Sequence, residues 1–165
     1  MSDGFPPPGA SPGGDVVDLP TASIGRRFVA RLADGVIVLA VTFPLWGLTG
    51  ILEVDAEDPD AAANVPLWVL AVMLVVSGVY EILPLVLWGR TPGKRLLGLV
   101  VEDTGGGYLG WHQATIRYLL PNAVALIPAP IGLLAVSAVY GSALAHPERR
   151  GWHDRAAGSI VLQAR

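Results

Sequence analysis

The stretch that decides the fold is residues 25–52, which read GRRFVARLADGVIVLAVTFPLWGLTGIL. Its last eighteen residues, 35–52, carry no ionisable side chain and are rich in valine, isoleucine, leucine and tryptophan. Together with the partly apolar turn before it, this run can cross a bilayer core, which takes about 20 helical residues. The stretch therefore predicts a membrane-spanning helix from about residue 22 to about residue 52.

The predicted helix carries charges near its start. Arg27, Arg31 and Asp34 lie at positions i, i+4 and i+7, so on a helix they share one face. Charged groups at membrane depth are costly and usually face the protein interior or water. The first helix is therefore expected to present a polar stripe to the rest of the protein.

The bulk composition agrees with a membrane protein. The chain is 52% hydrophobic and 15% charged, well away from the composition of soluble domains. With 165 residues it forms one domain at most, and the absence of cysteine excludes disulfides and thiolate metal sites. Residues 53–60 hold five acidic and no basic side chains, whereas every Lys and Arg lies elsewhere. This asymmetry predicts that the 53–66 loop is outside and that both termini are cytoplasmic.

Residues 1–20 are rich in proline and glycine and hold few apolar side chains. Such a segment buries too little surface to offset its ordering entropy, so it is expected to be a disordered tail. It also lacks the basic start and apolar centre of a signal peptide. The predicted domain organisation is a tail over 1–20 and a transmembrane domain over 21–165.

A second membrane helix is predicted from about residue 65 to 88, because 61–80 carry no charge. Glu81 interrupts the apolar run near its end. Two interpretations stay open: an intramembrane carboxylate that serves function, or an interfacial one paired with an arginine such as Arg90.

Residues 89–103, GRTPGKRLLGLVVED, superficially suggest a phosphate-binding loop. That motif requires four residues between its glycines and Ser or Thr after the lysine, whereas here three residues separate Gly89 from Gly93 and Arg95 follows Lys94. Nucleotide binding is therefore rejected. On the cytoplasmic side, Lys94 and Arg95 are expected to face lipid headgroups.

The alternation of residues 97–101 predicts a strand at the membrane surface, forming a short hairpin with 108–111 across the turn at 104–107. Residues 159–163 are also strand-like and are expected to pair with 97–101.

Residues 118–145 form a run of twenty-eight residues without Lys, Arg, Asp or Glu, broken by the PAP sequence at 128–130. A single crossing would place the basic tail outside, against the positive-inside tendency. Two short helices that enter and return are favoured, and a third span is the alternative. The predicted fold class is thus an all-α integral membrane protein with two transmembrane helices, this proline-broken third apolar segment and a small cytoplasmic β-hairpin.

Three motifs together resemble the RDD family of membrane proteins, named for one arginine and two aspartates. RRFVARLAD supplies Arg27 and Asp34, GRTPGKRLLGLVV stands in the position of the family's second segment, and HDRAAGSIV supplies Asp154. Arg117 matches a further arginine before the third apolar segment. The residues of the second motif are Gly89, Thr91, Gly93, Lys94, Arg95 and Gly98.

The resemblance implies a bacterial plasma membrane and leaves two functions open. The first is transport, the exchange of monovalent cations for protons, with Asp34 and Glu81 as the candidate ion or proton site. Two spans cannot enclose a path, so transport would require a homo-oligomer or a membrane protein partner. The second is a non-enzymatic scaffold or accessory protein in which the Arg/Asp cluster is a structural clamp.

Within the cluster, Arg31 and Asp34 are expected to meet at i, i+3, and Asp154 is expected to satisfy Arg27. No enzyme is predicted, because no nucleophile–base set is present and the three histidines have no metal-ligand spacing. No cofactor, metal or nucleic acid is expected, and the lipid bilayer is the predicted surrounding.

The predicted topology can be tested by cysteine labelling, since the chain has no cysteine of its own. Cysteines introduced as Glu57→Cys and Arg150→Cys should react with an impermeant maleimide from opposite sides of the membrane. Labelling of both positions from outside intact cells would contradict cytoplasmic termini.

Overall fold

A computed structural model of the chain describes residues 19–48, 66–125, 127 and 130–164. Most of the predicted tail and the acidic loop at 53–65 lie outside the described residues. The elements in chain order are α1 (Ile24–Leu48), α2 (Leu67–Trp88), α3 (Pro92–Leu96), β1 (Leu99–Asp103), α4 (Trp111–Ala125), α5 (Ile131–Gly141), a 3₁₀ turn (Ser142–Leu144), α6 (Trp152–Ala156) and β2 (Ser159–Gln163).

Helices α1 and α2 are long and apolar enough to cross a membrane. Fewer than a quarter of the residues in the most apolar part of each helix are buried within the protein. Large apolar side chains such as Val36 on α1 and Val75 on α2 are more than half exposed. A core helix of a soluble protein would bury such side chains, so these faces suit lipid. The two predicted spans are confirmed as helices of the required length and composition.

Helix α2 ends at a glycine whose backbone adopts the left-handed conformation. Gly89 has a φ of 65°, and its N–H donates to the carbonyl of Leu85 at 3.0 Å. This conformation stops the helix at no steric cost only when the residue is glycine. The carbonyl of Gly89 then accepts a hydrogen bond from Val101 N at 2.7 Å, which ties β1 to the end of α2.

The two strands form an antiparallel pair in which Val101 lies opposite Val161. The predicted pairing with 159–163 is confirmed, although the first strand begins at Leu99 instead of residue 97. The segment before α1 lines the other edge of β2, because Gln163 N donates to the carbonyl of Pro20 and Ala22 N to that of Val161.

The predicted hairpin between 97–101 and 108–111 does not form. Residues 108–110 are not strand, and α4 begins at Trp111. Strand β2 pairs with one edge of β1, and on the other edge Val101 N donates to the carbonyl of Gly89 and Asp103 N to that of Gly107. Leu109 is fully buried in the apolar core. The side of the membrane on which the sheet lies stays a prediction.

The proline-broken segment forms two separate helices, as predicted. Helix α4 has 15 residues and includes Arg117, while α5 has 11 residues and continues into the 3₁₀ turn. Each is shorter than the roughly 20 residues needed for an unaided crossing. Their depth in the membrane is not fixed by these lengths, so the choice between a helical hairpin and a third span stays a prediction.

The apolar core lies where the start of α1, the end of α2, the start of α4 and the sheet meet, together with the residues that lead into α1 and α4. Buried side chains from all of these elements contact one another there: Ala22, Ala30, Leu85, Val86, Leu99, Val101, Leu109, Ala114 and Val161. The core therefore holds the sheet against one end of the two spans.

Val161→Ala should destabilise the protein by roughly 2 kcal/mol, because two methyl groups leave a site where Val161 is 2% exposed. Ile160→Ala, on the neighbouring and partly exposed residue, is the matched control and should cost less. Thermal unfolding in detergent measures both. An equal loss in the two variants would contradict the burial of Val161 against the core.

Candidate functional site

Seven charged side chains from five segments converge between the helices, and we call them the charged network. They are Arg27, Arg31, Asp34, Glu81, Lys94, Arg117 and Asp154. Five of the seven are less than 9% exposed, whereas Arg27 and Arg31 are partly exposed. The structure thus brings the four residues of the Arg/Asp cluster into one region with Glu81.

Asp34 is bonded to donors that arrive from later in the chain. Its carboxylate accepts hydrogen bonds from Tyr80 Oη at 2.7 Å, Thr91 Oγ1 at 2.6 Å and Gly93 N at 2.8 Å. Lys94 Nζ lies farther away, at 3.9 Å from Oδ2. The expected pair with Arg31 is therefore wrong, since the carboxylate turns toward the 91–94 segment instead.

The second motif supplies the surface that receives Asp34. Thr91 caps α3, and its hydroxyl also donates to the carboxylate. A Cβ atom at Gly93 would lie 2.5 Å from the carbonyl of Ala30 and 2.8 Å from Asp34 Oδ1. Only glycine permits this approach of α3 to α1. The glycine, threonine and lysine of the motif thus shape a contact with α1.

Lys94 is buried, contrary to the expectation that it faces lipid headgroups, whereas Arg95 is exposed as expected. Lys94 Nζ has Thr91 Oγ1 at 3.3 Å as its hydrogen-bond partner. Burial lowers the pKa of Lys94 to about 8, although the charge of Glu81 opposes that change. Gly93 and Lys94 form the buried face of the short helix α3. This face packs against α1, so the Lys94 side chain points inward.

Arg31 joins three helices. Its guanidinium donates to Glu81 Oε2 on α2 at 2.6 Å and to Tyr140 Oη on α5 at 2.9 Å. The guanidinium carbon also lies 5.5 Å from the centre of the Tyr140 ring, within the range of cation–π attraction. Glu81 therefore pairs with an arginine, as one of the two interpretations held, but the partner is Arg31 and not Arg90.

Asp154 lies between two arginines. Arg117 Nη1 is 2.6 Å from Oδ1, Arg27 Nη1 is 3.5 Å from Oδ2, and Gly151 N donates to Oδ2 at 3.1 Å. Burial alone would raise the pKa of Asp154, but the nearby charges, Arg117 above all, outweigh it and lower the pKa. The predicted contact of Arg27 with Asp154 is present.

Arg117 is the closest partner of Asp154, and the sequence reasoning missed that role. A signal was available: Arg117 is the one Lys or Arg between 96 and 148. An isolated arginine in an apolar region is expected to find a carboxylate. Spacing along the chain could not identify Asp154, because thirty-seven positions separate the two residues.

His153 is neutral at pH 7. Burial lowers its pKa to about 4, with the charge of Arg117 acting in the same direction and Asp154 opposing. In the part of the chain that the structure describes, no three His, Cys, Asp or Glu side chains form a group that could hold a metal ion.

Two cavities adjoin the charged network, and both are lined by Arg31 and Glu81. The small cavity, of about 160 Å³, is also lined by Asp34, Ser77, Tyr80 and Tyr118. The large cavity, of about 410 Å³, is also lined by Arg27, Lys94, Arg117 and Asp154. The Arg31–Glu81 pair therefore lies where the two cavities approach each other.

Gly93→Ala should destabilise the protein strongly, because the new Cβ would lie against the backbone carbonyl of Ala30, which cannot move away. Gly25→Ala is the matched control: nothing lies within 4 Å of a Cβ added there, and the site is helical. We expect a lower melting temperature in detergent for the first variant only. Equal melting temperatures would contradict the close approach of α3 to α1.

The charged network can be compared with known proteins. The RDD family model matches residues 21–158, which include every member of the network. No curated protein and no solved structure matches the chain. Since the family match covers the bulk of the sequence and α1 and α2 suit a bilayer, the protein is a membrane protein that belongs to the RDD family.

Proposed function

We propose that this protein is a non-enzymatic membrane scaffold or accessory protein in which the charged network acts as a structural clamp. The observation that carries the proposal is that each buried carboxylate is bonded to donors from other elements. Asp34 binds α2 and the 91–94 segment, Glu81 binds α1, and Asp154 binds α1 and α4. The network thus fastens the surface elements to the two candidate spans.

The state of the carboxylates favours the clamp over cation exchange at Asp34. A carboxylate that carries a cation or proton must have an oxygen free to receive it. Asp34 Oδ1 accepts from Tyr80 and Gly93, and Oδ2 accepts from Thr91 with Lys94 nearby. A cation at Asp34 would therefore compete with three hydrogen-bond donors and with the charge of Lys94.

The scaffold would engage its partners through a basic face. Arg26, Arg149 and Arg155 are exposed near the start of α1 and around α6. Exposed arginines at these positions suit a cytoplasmic orientation and acidic partners. We place the protein in the cell membrane as a multi-pass protein with cytoplasmic termini, and we propose no enzymatic activity.

Asp154→Asn should lower stability by about 3–5 kcal/mol, because it leaves the buried charge of Arg117 without a carboxylate and removes a partner of Arg27. Glu148→Gln is the matched control, since its pair with Arg150 at 3.2 Å is half exposed on the glutamate side. Such surface pairs contribute about 1 kcal/mol or less. Thermal unfolding in detergent measures both variants, and comparable stabilities would contradict the clamp.

Transport is a second candidate, and the two cavities, both lined by the Arg31–Glu81 pair, support it. In this alternative, monovalent cations exchange for protons with Glu81 as the carboxylate. Two candidate spans cannot enclose a complete path, so the transporter would be a homo-oligomer or would act with a membrane protein partner.

Sodium-driven proton movement in proteoliposomes separates the two functions. If the clamp is the whole function, the purified protein should move no more protons than empty liposomes, with or without a sodium gradient. Transport predicts a sodium-dependent proton flux that Glu81→Gln abolishes while the melting temperature shows a folded protein. The exposed-site variant Glu148→Gln should leave that flux unchanged.

A further inference from the structure

The large cavity has a basic floor at one end of the membrane helices. Arg27 lies in the first turn of α1, and Lys94 follows the end of α2, so both are at the same end of the two candidate spans. In a bilayer, the ends of spanning helices lie at the level of the lipid headgroups. The floor of the cavity is therefore placed at headgroup depth.

The lining of the cavity carries an excess of positive charge. Four cations, Arg27, Arg31, Lys94 and Arg117, face two carboxylates, and His153 is neutral at pH 7. Asp34 does not line the cavity but lies near Lys94. Even with its charge included, the four cations exceed the three carboxylates by one positive charge. Arg27 and Arg117 share Asp154, so this excess points to an anion that the chain itself does not supply.

Several donors in the floor lack a close partner. Lys94 Nζ is 3.3 Å from a hydroxyl and 3.9 Å from a carboxylate, longer than the roughly 2.7–2.9 Å of a tight charged hydrogen bond. Arg27 and Arg117 share the single carboxylate of Asp154, at 3.5 Å and 2.6 Å. Lysine and arginine are the side chains that bind phosphate oxygens.

The wall of the cavity is apolar and open toward the lipid. Phe28 on α1 and Leu144 in the 3₁₀ turn both line it and are 62% and 74% exposed, respectively. Ile24 and Val136 extend the same surface. A ligand that pairs with the cations of the floor and also contacts the apolar wall must combine an anionic group with an apolar tail.

We propose that the large cavity binds the headgroup of an anionic phospholipid from the surrounding bilayer. Its phosphate lies against Lys94 and the neighbouring arginines, and its chains leave past Phe28 and Leu144. The volume of 410 Å³ is within the range of about 300–1,000 Å³ typical of small-molecule sites. It admits the phosphate and glycerol, while the chains continue along the exposed surface of α1 and α5. Glu81 and Asp154 repel the phosphate little, because each is already paired with an arginine.

Native mass spectrometry and thermal unfolding of the full chain in detergent test this binding. Phosphatidylglycerol should remain bound and raise the melting temperature, whereas phosphatidylcholine with the same acyl chains should do neither. Inorganic phosphate at the same concentration should give no shift, because the apolar wall contributes to binding. Equal effects of the two lipids, or a full shift with inorganic phosphate alone, would overturn the proposal.

Two pairs of variants locate the site. Lys94→Gln should weaken phosphatidylglycerol binding about tenfold or more, the loss expected for one charge-assisted hydrogen bond. Arg95→Gln removes the same charge from an exposed neighbour and should leave binding within about twofold, since exposed charges are screened.

Should Lys94→Gln fail to fold, a steric variant gives the same information without changing the charged network. Ser137 lines the cavity, so Ser137→Phe should block it and abolish phosphatidylglycerol binding. Ala138→Phe, on the next and exposed residue outside the lining, should bind as the unmodified protein does. Unchanged binding by Ser137→Phe would overturn the assignment to this cavity.

Discussion

Asp34 lies on a helix that carries no other charge from there to its end, and satisfying this one carboxylate constrains the rest of the structure. A carboxylate buried in an apolar domain requires donors, and Arg31, one turn before Asp34 on the same helix, donates to Glu81 and Tyr140 instead. Tyr80, Thr91 and Gly93 supply them. Because the last two belong to the segment after α2, binding Asp34 places α3 against α1, and β1 follows a few residues later.

The position of β1 in turn determines where Asp154 lies. Strand β2 pairs with β1, and α6 immediately precedes β2, so Asp154 is carried back to the start of α1. There Arg27 and Arg117 approach it from two helices. A buried ion pair gains little net stability over a well-packed apolar pair, but leaving one member alone is costly. The network therefore constrains how the elements are arranged more than it adds to the overall free energy of folding.

Sequence reasoning succeeded where the signal was local. The length and hydropathy of α1 and α2 predicted both helices, and alternation predicted the strands that pair. It failed where a residue close in the sequence and a residue far along the chain could both be the partner of a charged side chain. The i, i+3 spacing predicts that Arg31 meets Asp34, yet Glu81, fifty positions away, lies 2.6 Å from the guanidinium of Arg31. The burial of Lys94 could not be predicted either, because it depends on the packing of α3 against α1.

The Arg31–Glu81 pair differs from the rest of the network in its surroundings. The side chain of Arg31 is 41% exposed, whereas that of Arg117 in the pair with Asp154 is 5% exposed. A partly exposed guanidinium can exchange a protein partner for water at a lower cost than a buried one. Tyr140 Oη also accepts a hydrogen bond from Arg31, so Arg31 would keep one protein partner if its bond to Glu81 opened. Both cavities are lined by this pair, so it is the part of the network that borders both of them. The members of the network therefore differ in their surroundings: the carboxylates of Asp34 and Asp154 are buried, whereas the guanidinium of Arg31 is partly exposed.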